Sequence, residues 1–132
     1  MRNRSGTMLV AAAAALLLSG CGGEATPAGV RTVPAQDAVA VVAEDDTVVI
    51  DVRTPEEFAE GHLAGARNLS LAGDFETEVA RLPRDARYVL YCRTGNRSAQ
   101  AADIMERLGF TDVLDAGGLS DLAAAGAEVV TG

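Results

Sequence analysis

The sequence contains no lysine and no tryptophan, a single histidine, four prolines and only two cysteines, Cys21 and Cys92. Two cysteines are too few for a disulfide framework. The basic excess that nucleic-acid binding normally needs is also missing, because 11 arginines face 19 acidic residues for a net charge of -8. The missing lysine excludes no function. Long apolar runs are missing too. The stretch from Met8 to Leu18 is far short of the roughly 20 residues that cross a bilayer as a helix. What is present is an apolar fraction of 48%, too high for a wholly disordered chain, in 132 residues, room for one compact domain.

The N-terminus reads as an address. Arg2 and Arg4 precede the apolar run, and small residues follow it, the pattern of a secretory signal peptide. The tetrapeptide Leu18-Ser19-Gly20-Cys21 resembles a bacterial lipobox. That resemblance implies cleavage after residue 20, a lipid on the Cys21 thiol and an acyl group on its new amine. The chain is then expected on the extracytoplasmic face of a bacterial cell envelope, held at a membrane by lipid. Residues 21–34, rich in Gly, Pro, Thr and Ala, are expected to be a flexible tether. Removal of residues 1–20 leaves nine basic against nineteen acidic residues, a balance that repels anionic headgroups.

Residues 35–132 alternate between short β-branched runs and helical spacing. Thr47 to Asp51 reads as a buried strand. Thr54, Pro55, Glu56 and Glu57 form a capping box with proline at the first helical position, and Gly61 ends that short helix. Arg67 to Leu71 is a second strand. Phe75, Val79 and Leu82 share one helical face, stopped by Pro83. Arg87 to Tyr91 is a third strand, and Ala101, Ile104, Met105 and Leu108 mark the buried face of the next helix, closed by Gly109. Thr111 to Asp115 is a further strand, and helices at residues 36–43 and 119–124 complete the pattern. Such alternation predicts an α/β fold, a mostly parallel central sheet with helices on both faces. Ligands of such sheets bind beyond the carboxyl ends of the strands. Three strand ends carry unusual chemistry: Asp51 with Arg53, Cys92 with its following loop, and Asp115-Ala116-Gly117-Gly118.

Cys92 is the candidate nucleophile. The loop Arg93-Thr94-Gly95-Asn96-Arg97-Ser98 leads from it into a helix, so a thiol there faces backbone N–H groups and the positive end of a helix dipole. Arg93 and Arg97 add full charges. All of these favour the thiolate, the nucleophilic form. The same cradle suits a persulfide or an oxyanion. A merely buried cysteine accounts for the apolar strand but not for the two arginines and Gly95.

Four segments, in order, resemble the rhodanese family: Asp51-Val-Arg-Thr-Pro-Glu-Glu-Phe58, Gly61-His-Leu-Ala-Gly-Ala-Arg-Asn68, Tyr91-Cys-Arg-Thr-Gly-Asn-Arg-Ser98 and Leu114-Asp-Ala-Gly-Gly-Leu119. The resemblance covers about residues 35–130. It implies a rhodanese-like fold in which Cys92 takes sulfane sulfur from a small anion, thiosulfate or a persulfide, and passes it to a thiol or a protein sulfur acceptor. It implies no metal and no organic cofactor. Arg93, Thr94, Gly95, Asn96 and Arg97 are then the substrate-binding residues, through backbone N–H groups and the two guanidinium groups, with Arg97 favoured over Arg93 as the substrate cation. Asp51 and Arg53 are expected to brace the neighbouring loops, and His62 to be structural. Gly117 and Gly118 are expected to let backbone pass close to the site. The family often has an aromatic a few residues further on, where Leu122 stands here. Two rivals share these features. One is a persulfide-binding or sensing module without turnover. The other is a cysteine-dependent phosphatase or arsenate reductase, whose loop places five residues between cysteine and arginine, against four between Cys92 and Arg97.

Overall fold

The structure is a computed structural model that describes residues 29–132. The expected signal peptide, the lipidation cysteine Cys21 and the tether up to residue 28 lie outside the described residues. The chain runs β1 (Gly29–Thr32), α1 (Ala35–Val42), β2 (Thr47–Asp51), α2 (Pro55–Glu60), β3 (His62–Leu63), β4 (Arg67–Asn68), α3 (Phe75–Val79), β5 (Arg87–Cys92), α4 (Asn96–Arg107), β6 (Asp112–Gly118), α5 (Leu119–Ala124) and β7 (Val129–Val130). Five strands form one parallel sheet in the order β1-β6-β5-β2-β4, and β3 pairs antiparallel with β7 beside it.

The central strand explains the layering. Along β5, Tyr88, Leu90 and Cys92 point to one face, where Phe75 and Val79 of α3 and Ala101, Ala102 and Met105 of α4 cover them. Val89 and Tyr91 point to the other, against Ala38 of α1, Leu122 of α5 and Leu63. A strand covered on both faces must be apolar throughout, as is usual in parallel sheets. Burying each such aliphatic side chain contributes about 1.5–3 kcal/mol. Because side chains alternate, Cys92 falls on the α4 side of the sheet, under the start of that helix.

Parts of the chain differ from the sequence expectation. Residues 29–32 fall within the expected tether but form β1, in parallel register with Asp112 to Asp115 of β6. A four-residue edge strand beginning with glycine carries little of the alternation that announces a strand. The second expected strand is short, Arg67–Asn68, paired in parallel with Ile50 and Asp51, and the Leu69 and Leu71 N–H groups donate to the carbonyls of Asp51 and Val52. Strand β6 also runs past Asp115, to Gly118. Between the pairs Leu90↔Asp115 and Cys92↔Gly118 it carries one extra residue. This bulge, with Gly117 at φ +80, bends the strand end at the mouth of the site.

Candidate active site

The carboxyl ends of β2, β5 and β6 lie side by side, so Asp51, Cys92 and Gly118 meet at one edge of the sheet. At β2 the chain buries a charged pair. Asp51 is 0% exposed and Arg53 4%. The Asp51 carboxylate accepts from Arg53 Nη2, Nε and backbone N–H, the N–H at 2.9 Å. Arg53 Nη2 also donates to the Gly61 carbonyl at 2.6 Å, and the Asn68 amide donates to the Asp51 and Arg53 carbonyls. Burial pushes the Arg53 guanidinium down, but Asp51 outweighs it and holds it above its ordinary value. These contacts tie β2, the end of α2 and β4 together, the geometry of a brace.

At β5 the site is built by backbone. Glycine makes the turn possible: Gly95 has φ +102 and acts as N-cap of α4. Its N–H donates to Cys92 Sγ at 2.8 Å. The thiol donates to Ser98 Oγ at 3.6 Å, and the Ser98 hydroxyl donates to the Gly95 carbonyl at 3.0 Å. Burial pushes the Cys92 thiol up. The N–H and hydroxyl of Ser98 and the N–H groups of Gly95 and Thr94 together outweigh it, so the thiol lies below its ordinary value. Next to this loop, a Cβ at Gly118 would drive into the Arg93 carbonyl oxygen. Gly118 is the residue that lets β6 pass so close.

The two loop arginines do not point freely at the sulfur. Arg97 makes a two-point ion pair with Glu57, Nη1 to Oε2 at 2.7 Å and Nη2 to Oε1 at 2.9 Å. Arg93 Nε donates to Glu57 Oε1 at 3.1 Å. Arg97 holds the Glu57 carboxyl far below the usual carboxylate range. Asn96 opens α4, and its carbonyl takes the Gln100 amide. His62 stacks on Phe58 at 3.6 Å and its Nδ1 meets the Phe58 carbonyl at 2.8 Å, away from the sulfur contacts. Leu122 is fully buried in the α1/α5 layer. Beside the loop lies an apolar cavity of about 310 Å³ lined by Arg53, Arg93, Leu119, Ser120, Ala123 and Val129.

Glu57 and Ser98 are two side chains in contact with the site that the sequence alone does not assign to it. Glu57 was visible only as the capping-box acid. The signal for Ser98 was its place as the third residue of α4, where a hydroxyl can reach back to the residue before the turn. Among the described residues no group of three or more His, Cys, Asp or Glu converges to hold a metal ion. The donors at the edge are guanidinium and N–H groups, chemistry suited to anions.

A parallel α/β sheet ending in a cysteine whose sulfur is ringed by N–H donors defines a class of cysteine-based enzymes that handle anions. Within that class, the rhodanese-like domain model matches residues 35–125, and the chain belongs to this family. It is 39% identical over 75 residues to thiosulfate sulfurtransferase PspE of Escherichia coli, spanning 56% of this chain and 72% of that protein. Thiosulfate sulfurtransferase GlpE of Pseudomonas putida is 33% identical over 90 residues, 67% of this chain and 79% of the relative. Among solved structures, a rhodanese with anions from Escherichia coli is 33% identical with a TM-score of 0.57, covering 65% of this chain and 99% of that one. A rhodanese-related protein from Thermoplasma volcanium is 30% identical with a TM-score of 0.63, covering 77% and 99%. The chain is a rhodanese-type enzyme.

Proposed function

We propose that the protein is a sulfurtransferase that takes sulfane sulfur from thiosulfate, or a similar anion, onto Cys92 and hands it to a thiol or protein sulfur acceptor. The observation that carries this reading is the Gly95 N–H donating to Sγ at 2.8 Å within a ring of donors that favours an anion on sulfur. The names of the relatives support thiosulfate as the donor. In the first half-reaction the Cys92 thiolate attacks the outer sulfur of thiosulfate. The S–S bond of thiosulfate breaks, and sulfite leaves with the bonding pair. In the second, the acceptor thiolate attacks the terminal sulfur of the persulfide, and the Cys92 thiolate leaves. No net oxidation occurs, and the N–H ring serves both anionic forms.

Two half-reactions that share one sulfur carrier give ping-pong kinetics. With thiosulfate and cyanide, the native chain is expected to give parallel double-reciprocal lines, and Cys92→Ser no thiocyanate. Thiocyanate formed by Cys92→Ser at the native rate would overturn the reading. A second reading, a module that holds persulfide without turnover, is favoured by the complete burial of Cys92. It predicts stoichiometric sulfur uptake without multiple turnovers.

The lipobox-like Leu18-Ser19-Gly20-Cys21 supports a membrane anchor on the extracytoplasmic face, with the acceptor reached from that side. Among the described residues no helix is long and apolar enough to cross a membrane. Cys21→Ala is expected to leave the protein uncleaved or to release it from membranes on fractionation. A processed, membrane-bound Cys21→Ala protein would contradict the anchor.

A further inference from the structure

One carboxylate joins the two loops at the sheet edge. Glu57 belongs to α2, and its side chain is 17% exposed. Oε2 accepts from the Thr54 N–H at 3.0 Å, the Thr54 hydroxyl at 3.1 Å and Arg97 Nη1 at 2.7 Å. Oε1 accepts from Arg97 Nη2 at 2.9 Å and Arg93 Nε at 3.1 Å. The acid that caps α2 therefore also receives both cations of the Cys92 loop.

The two arginines are held unequally. Arg97 is carried by α4 and commits both terminal nitrogens to Glu57, with its side chain 34% exposed. Arg93 stands in the loop, is 59% exposed and is held through Nε alone. Its terminal nitrogens have no partner among the described residues, and it lines the apolar cavity. A planar two-point pair carried by a helix resists exchange better than one bond from an exposed loop side chain. Two positive charges and one negative leave a surplus of one positive charge, and the looser partner is the one able to deliver it.

Resting on the sulfur-transfer reading above, we propose that Glu57 is a positioning residue that clamps Arg97 in the wall of the site and leaves Arg93 releasable, so that Arg93 is the cation that meets the anionic donor. Arrival of a dianion draws Arg93 away from Glu57, whereas Arg97 stays paired. The clamp also tempers the field at sulfur. Arg97 feels the charge of Cys92, and the Glu57 carboxylate beside it offsets part of its pull on the thiolate. The assignment reverses the order expected from the loop sequence, in which Arg97 was the favoured substrate contact.

The test uses the full chain with Arg93→Ala, Arg97→Lys and Glu57→Gln. It reads thiosulfate kinetics and, separately, the pH dependence of Cys92 alkylation located by peptide mapping. Arg93→Ala is expected to raise KM for thiosulfate by about tenfold at nearly unchanged kcat. Arg97→Lys and Glu57→Gln are expected to lower kcat by about tenfold at nearly unchanged KM. Glu57→Gln keeps an oxygen for the Thr54 cap, and its alkylation midpoint should move to lower pH because the offsetting anion is gone. Thermal melting checks that each variant is folded; if Glu57→Gln is not, the two arginine variants decide. A KM effect in Arg97→Lys without one in Arg93→Ala would overturn the assignment. So would a folded Glu57→Gln with native kcat and a native alkylation midpoint. If the native chain transfers no sulfur, the function proposed above fails, while the alkylation midpoint still decides whether the clamp exists.

Discussion

The loop after β2 and the loop after β5 end at the same edge of the sheet but are built by opposite means. The first spends its charges on itself: Asp51 and Arg53 pair below the surface and leave no net charge for a ligand. The second keeps its side-chain charges outside and turns backbone N–H groups inward, onto Cys92. One loop is a rigid support and the other a receptor for an anion. Glu57 is where they touch, fixed in the first loop by Thr54 and pulling on the second through Arg97 and Arg93. Rigidity supplied by side chains on one side allows the other to be made of backbone, which no single side-chain substitution removes.

The largest expected effect comes from breaking the support. Asp51→Ala leaves the Arg53 guanidinium buried without its carboxylate, and a cost of about 3–5 kcal/mol is expected in urea denaturation. A cost below about 1 kcal/mol would mean that the pair is not what holds the loop. Next is the close passage at Gly118. Gly118→Ala sets a methyl group against the Arg93 carbonyl, and a loss of roughly 1–3 kcal/mol is expected together with loss of sulfur transfer. Retained stability with activity lost would sharpen the contrast, because the receptor loop alone would have moved.

The smallest effect is on the receptor itself. Ser98→Ala removes the hydroxyl facing Sγ while the N–H groups remain, so a stability change of only about 1 kcal/mol is expected. The informative readout is the pH profile of Cys92 alkylation. In the native chain the thiol is held below its ordinary value, so the reactive form appears earlier as pH rises. The associated stability is present in full above the titration range of an unfolded thiol and is lost as pH falls through the folded value. Ser98→Ala should move the alkylation midpoint to higher pH. An unmoved midpoint would assign the whole effect to backbone.

How legible each part was follows from how local its cause is. The Thr54–Glu57 cap and the cysteine at a strand end each depend on neighbours a few residues apart and are readable along the chain, whereas the bracing role of Asp51 and Arg53 came only with the family resemblance. The second role of Glu57 was not, because its partner Arg97 is 40 residues away. Strands β3 and β7 were equally hidden, since two residues carry no periodicity and only the pairing of His62 with Val130 and Leu63 with Val129 creates them. The Gly95 N–H bond to sulfur was expected in kind. Ser98 adds its own contact to the sulfur, and its place as the third residue of α4 is a signal it shares with many serines that open a helix.

The most direct test of the account is the intact mass of the full chain after exposure to thiosulfate. The account predicts a gain of one sulfur atom that maps to Cys92 and is discharged by cyanide as thiocyanate. An unchanged mass, or a sulfur that maps elsewhere or survives cyanide, would contradict it.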